Sequence, residues 1–185
     1  MGRSQPRADM FVDPERDPRQ EGPTLGDERA TLVEYLRYHR LTLELKCADL
    51  DEHALARRSV PPSTLSLLGL VRHMAEVERF WFRRVMAAQE TASPRYTSPE
   101  DRDGDFDGAK PDPDVVAEAW AAWREEIAFA EQLVEQTPDL GTIAEDPRGG
   151  QVSLREVLVH MIEEYARHNG HADLLRECID GRIGQ

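Results

Sequence analysis

Four stretches of the chain place apolar residues at close to the 3.6-residue period of a helix, and the intervals between them do not. The first opens near Asp27, with Leu32, Tyr35, Leu36, Leu43, Cys47 and Leu50 on one face and acids in its first turn. The two prolines of "RRSVPPST" end it, because proline lacks the N–H that a helix interior uses. The second is "SLLGLVRHMAEVERFWFRRVMAAQ", capped by Ser66 or Thr64. Its stripe runs from Leu67 through Leu70, Val71, Met74, Val77 and Trp81 to Val85, and His73 lies beside that stripe. The third starts with Asp112 as cap and Pro113 at the first position, with Val116, Trp120, Trp123, Ile127 and Val134 in register. The fourth begins at Ser153, which stands at capping-box spacing from Glu156. It runs from Leu154 to Ile179, and Gly181 is the expected stop. Four such helices without strand-like alternation predict an all-α four-helix bundle.

The intervals sharpen this picture. Residues 91–111 are rich in Pro, Gly and Asp, carry no helical period, and are long enough to cross a bundle from end to end. Connections of that length inside one domain are often functional. A tight turn is expected over 146–150. Residues 1–24 are polar and charged, which predicts a loosely ordered arm ahead of one domain spanning 25–185.

Composition adds exclusions. The chain has 185 residues, 39% hydrophobic and 32% charged, enough for one domain with a core. No apolar run approaches the ~20 residues of a membrane span. The first residues lack the apolar segment of a secretory signal, and Pro6 stands where a myristoylation pattern needs Ser or Thr. The expectation is a cytoplasmic protein. A formal charge of −13, with no basic run longer than two, argues against nucleic acid and anionic membranes as partners. Cys47 and Cys178 sit in helical patterns without a CxxC, and read as reduced, mostly buried thiols.

Candidate chemistry concentrates in "VHMIEEYARHNGH", Val159 to His171. On a helix, Glu164 and His168 point the same way from adjacent turns, ~6 Å apart along the axis. That arrangement offers a carboxylate oxygen and an imidazole nitrogen to one divalent ion. His160 lies ~12 Å from His168 along the axis and is rotated by ~80°, so it can pair with Glu164 but not share a site with His168. His171 can pair with His168 but would compete with Glu164. A catalytic metal usually takes three protein ligands and keeps an open position. His39 and His53 have weak contexts, so His73, on another helix, is the third candidate. The set is His73, Glu164 and His168, closed by water or substrate. On spacing alone the bland alternative stays open, because a Glu–His pair four residues apart is common on solvated helix faces.

The segments "LSLLGLVRHMAEVERFWF" and "VSLREVLVHMIEEYARHNGHADLLRECIDG", with the loop "DGDFDG", resemble the DinB/YfiT-like superfamily, and more closely its DUF664 branch. The resemblance implies a four-helix bundle with a long crossover between the second and third helices. It also implies a divalent metal, zinc or nickel, held by His73, Glu164 and His168. Most DinB-like proteins have histidine at all three positions. The His, Glu, His form resembles that of the mycothiol-dependent maleylpyruvate isomerase relatives. The implied activity is metal-dependent transfer of a low-molecular-weight thiol, such as mycothiol or bacillithiol, to an electrophilic small molecule, or a thiol-assisted isomerisation. Tyr165, Arg167 and His171 are the expected residues around the thiol. No catalytic residue is assigned, and Glu164 can serve as ligand or as general base. The alternative is a non-catalytic metal-binding or structural bundle of the stress-response type. A homodimer is among the expected partners, with Trp120 and Trp123 available to it if they are not core.

Overall fold

Side chains placed by the sequence start each long helix. The computed structural model describes residues 11–19, 22 and 25–184. Helix α1, Glu28–Cys47, begins where the Asp27 carboxylate accepts from the Ala30 N–H at 2.8 Å. After the short α2, Glu52–Leu55, helix α3, Leu67–Glu78, begins with Ser66 Oγ accepting from the Gly69 N–H at 3.1 Å. It continues as a wider π-helical stretch over Arg79–Met86. Such widening is favoured near functional sites because it re-aims side chains. The one-turn α4, Gly104–Asp107, lies within the crossover. Helix α5, Pro113–Gln136, starts at the Asp112 cap, with Pro113 supplying a preset φ where no N–H is needed. Helix α6, Leu154–Asp180, is capped by Ser153 and stopped by Gly181 at φ 79°, a left-handed conformation that glycine adopts without strain.

The four long helices form the expected bundle, with α6 against α1 and α3 against α5. Leu43, Leu70, Met74, Phe82, Met161 and Tyr165 are fully buried at its centre. Buried charges are paired there, as they must be. The Arg40 guanidinium grips Glu78 through two hydrogen bonds of 2.8 and 2.7 Å, and the Tyr165 hydroxyl donates to the same carboxylate at 2.8 Å. Among the described residues, no helix is long and apolar enough to cross a membrane.

The structure departs from the sequence reading at several points. A small antiparallel hairpin, β1 Ile143–Glu145 and β2 Gln151–Ser153, occupies the loop before α6. Three-residue strands are too short to show alternation. The crossover contains α4, since a single turn cannot display a helical period. Of the expected loose arm, Phe11 and Arg19 are buried against the bundle, and much of the rest falls outside the described residues. Phe11 is buried beneath the Lys46 ammonium and the Arg182 guanidinium, each 4.1 Å from its ring centre. Cationic faces thus hold an aromatic that low average hydrophobicity had masked. Cys178 is exposed, on the outer face of α6, while Cys47 is buried and its thiol is pushed up to about 12 by loss of water. Trp123 is core, donating its Nε1–H to Tyr165 at 2.8 Å. It is therefore not available to a dimer face.

Candidate metal centre

Helix α3 presents His73 towards α6, and α6 presents Glu164 and His168 towards α3. One donor atom from each of the three lies within 4.8 Å of the other two. The His168 Nε2 is 3.5 Å from one Glu164 oxygen, and the rings of His73 and His168 have centroids 4.7 Å apart. The i,i+4 pair read from the sequence is therefore directed at the histidine of a facing helix.

Each histidine is oriented from behind. His73 Nδ1 is 2.7 Å from the carboxylate of buried Asp105. A carboxylate only accepts, so that nitrogen carries a proton, and in the neutral ring Nε2 then keeps its lone pair for the centre. Support of a ligating imidazole by a carboxylate is the usual outer layer of a metal site. The His73 ring also stacks on Phe106 at 4.8 Å. His168 Nδ1 is 3.3 Å from His171 Nδ1. Burial, reinforced by the neighbouring His73 and His171, pulls the His168 imidazole down to about 3. It is thus neutral at ordinary pH, which is the form that ligates.

Asp105 comes from α4, and α3 holds α4 in place. The Arg72 guanidinium donates to the Asp105 carbonyl at 2.8 Å and the Gly104 carbonyl at 3.0 Å. The Glu76 carboxylate accepts from the backbone N–H of Arg95, Tyr96 and Thr97. An added Cβ on Gly104 would overlap the Tyr96 carbonyl oxygen. Two turns of α3 therefore carry both a ligand candidate and the clamp for that ligand's orienting residue.

A cleft of ≈ 350 Å³ opens on His73, Asp105 and Glu164. Val77, Phe80 and Trp81 form its apolar wall, with His160, Arg102 and Arg148 around it. His160 packs on Trp81 with centroids 4.7 Å apart. Its Nε2 is 3.6 Å from the second Glu164 oxygen, so Glu164 stands between His160 and His168. The residues expected around a thiol are placed differently. Tyr165 lies in the core, turned inward by the 100° step from Glu164. Arg167 is exposed, bridging Glu163 at 3.2 Å and Glu164 at 3.5 Å. His171 sits behind His168. None of the three is among the residues lining the cleft. Sequence reasoning had missed Asp105, Arg102, Arg148 and the aromatic wall. Only "DGDFDG" carried a hint, as a compact acidic turn amid a long connection.

Among solved structures, a conserved protein from Enterococcus faecalis has a similar fold, with a TM-score of 0.58 over 85% of this chain and 99% of that chain at 14% identity. That likeness concerns fold alone. No curated protein matches this sequence. A family model described as mycothiol-S-transferase matches residues 31–181, a span that takes in α1 from Thr31 onward, the other three long helices entire and every residue of the His/Glu/His cluster. With the bundle, the long crossover and the cluster all inside that match, the chain belongs to the mycothiol-S-transferase family.

Proposed function

We propose that the protein is a divalent-metal-dependent thiol S-transferase, or a thiol-assisted isomerase, in which His73, Glu164 and His168 hold the ion. The observation that carries this reading is the convergence of three donor atoms within 4.8 Å, one of them backed by Asp105 at 2.7 Å. Two imidazole nitrogens and a carboxylate oxygen suit zinc or nickel. Such an ion would lower the pKa of a thiol so that it reacts as thiolate near neutral pH.

The remaining work falls to the chain's own side chains. Asp105 keeps the His73 proton on Nδ1, and His171 meets Nδ1 of His168, so both Nε2 atoms stay turned to the centre. Glu164 has one oxygen towards His168 and one towards His160, which lets it ligate or accept a proton from an incoming thiol. Val77, Phe80 and Trp81 exclude water from one side of the cleft, which strengthens charge interactions there. The family points to mycothiol, or a similar low-molecular-weight thiol, as co-substrate. A cytoplasmic setting, where thiols stay reduced, fits this chemistry.

The test is metal content by inductively coupled plasma mass spectrometry on untagged protein, beside His168→Ala. About one zinc or nickel ion per chain is expected, and its loss in the variant. Wild-type protein should then conjugate mycothiol to 1-chloro-2,4-dinitrobenzene, and chelation should stop it. No retained metal after incubation with Zn²⁺ and dialysis would remove the reading. Metal without conjugation of any electrophile would reduce it to a metal-binding role.

A further inference from the structure

Around the cleft, every acid is already engaged. Glu76 accepts three backbone N–H groups of the crossover. Asp105 accepts from His73 and from the Phe106 N–H. Glu164 belongs to the cluster and to Arg167. The cations are less committed. Arg148, from the turn between β1 and β2, pairs with Asp146 at 2.8 Å and lies over the faces of Phe80 and Trp81 at 4.5 and 4.7 Å. Arg102, from the crossover, lines the same cleft, and its guanidinium has no hydrogen bond or ion pair among the described residues. Arg102 is exposed at the cleft, so its guanidinium is open to a ligand there.

From this we infer that the cleft takes a small acid as the electrophilic acceptor, with its carboxylate on Arg102 and its apolar body along Phe80, Trp81 and Val77. A guanidinium fork matches a carboxylate through two parallel hydrogen bonds. One uncommitted guanidinium balances one carboxylate, whereas a phosphate dianion would call for a second free cation, and Arg148 is already bound to Asp146. The apolar wall suits an aromatic or unsaturated body, and Arg148 stacked on that wall closes it from the hairpin side. The carboxylate is assigned to the acceptor because mycothiol has none free, its cysteine being N-acetylated and amide-linked. This assignment deepens the S-transferase reading and rests on it for the word acceptor. The subsite itself is separable from the metal.

Isothermal titration with trans-cinnamate and cinnamamide tests it, on zinc-loaded and on chelator-stripped protein, in wild type, Arg102→Gln and Arg102→Lys. Arg102 is exposed on the crossover, so neither substitution removes a buried contact of the bundle. Cinnamate should bind about tenfold more tightly than cinnamamide, the value of one charge-assisted pair. The preference should survive stripping, vanish in Arg102→Gln and return in part in Arg102→Lys. A preference that disappears on stripping and ignores Arg102 would mean that cinnamate binds the ion, and would overturn the proposal without harming the metal reading. Equal binding of the two probes, or no heat from either at millimolar concentration, would overturn it as well. Phenyl phosphate and N-acetylcysteine complete the set. Tighter, Arg102-dependent binding of phenyl phosphate would replace the carboxylate by a phosphate. Arg102 dependence for N-acetylcysteine alone would move the carboxylate to the thiol partner.

Discussion

Asp105 and Tyr165 show how single residues act here through hydrogen bonds to others. Asp105 touches the centre only through His73 Nδ1. Asp105→Ala should lower zinc affinity ~10–100-fold while leaving helical content unchanged, as loss of an orienting carboxylate does elsewhere. Competition titration against a chromophoric chelator reads the first quantity and circular dichroism the second. Unaltered affinity would mean that His73 needs no orientation. Tyr165 plays a different part from the one its sequence neighbours suggested. Its hydroxyl accepts from Trp123 and donates to Glu78, which also balances Arg40. Burial, with Glu78 alongside, holds that phenol well above its ordinary range, so it remains a donor. Tyr165→Phe strands a buried indole N–H and should cost ~1–3 kcal/mol in denaturant unfolding. Zinc affinity should not change, because the hydroxyl faces away from the cleft.

At the scale of elements, α3 and α4 behave as one unit. Arg72 and Glu76 are spaced to clamp the crossover while His73, between them, faces α6. The turn of α4 depends on close approach at Gly104, where a side chain has no room against the Tyr96 carbonyl. Gly104→Ala should therefore displace Asp105 and weaken zinc binding by about the same factor as Asp105→Ala. A double variant should then lose little more than either single one, since both act through His73. Additive losses would show that α4 supports the site by another route. The four long-helix starts were legible because their caps are local: Asp27, Ser66, Asp112 and Ser153 each bond an N–H within three residues. The hairpin and α4 were not, because elements of three or four residues have no period to read.

For the whole molecule, the centre joins α3 to α6 across the bundle, and binding there is coupled to folding. An ion that binds only the folded chain should stabilise it by ~2.7 kcal/mol at a hundredfold excess over its dissociation constant. Differential scanning calorimetry should show a Tm that rises with added Zn²⁺ and falls with a chelator. His168→Ala should remove this dependence and also lower the metal-free Tm, because it truncates a buried imidazole midway along the inward face of α6. A zinc response that persists in the variant would place the ion elsewhere.

Periodicity and caps act over a few residues, so the sequence by itself determined that there are four long helices, where they start, and that Glu164 and His168 share a face, whereas α1 stops at Cys47, well before the two prolines expected to end it. Which side chains meet across helices was decided only by the tertiary structure, because packing sets the rotation of each helix about its axis. That rotation brought His73 to the Glu164–His168 pair, sent Tyr165 inward and left Cys178 outside. It also placed Asp105 behind His73 and Arg102 beside the cleft, from a crossover whose path depends on contacts with Arg72 and Glu76 that no local pattern encodes.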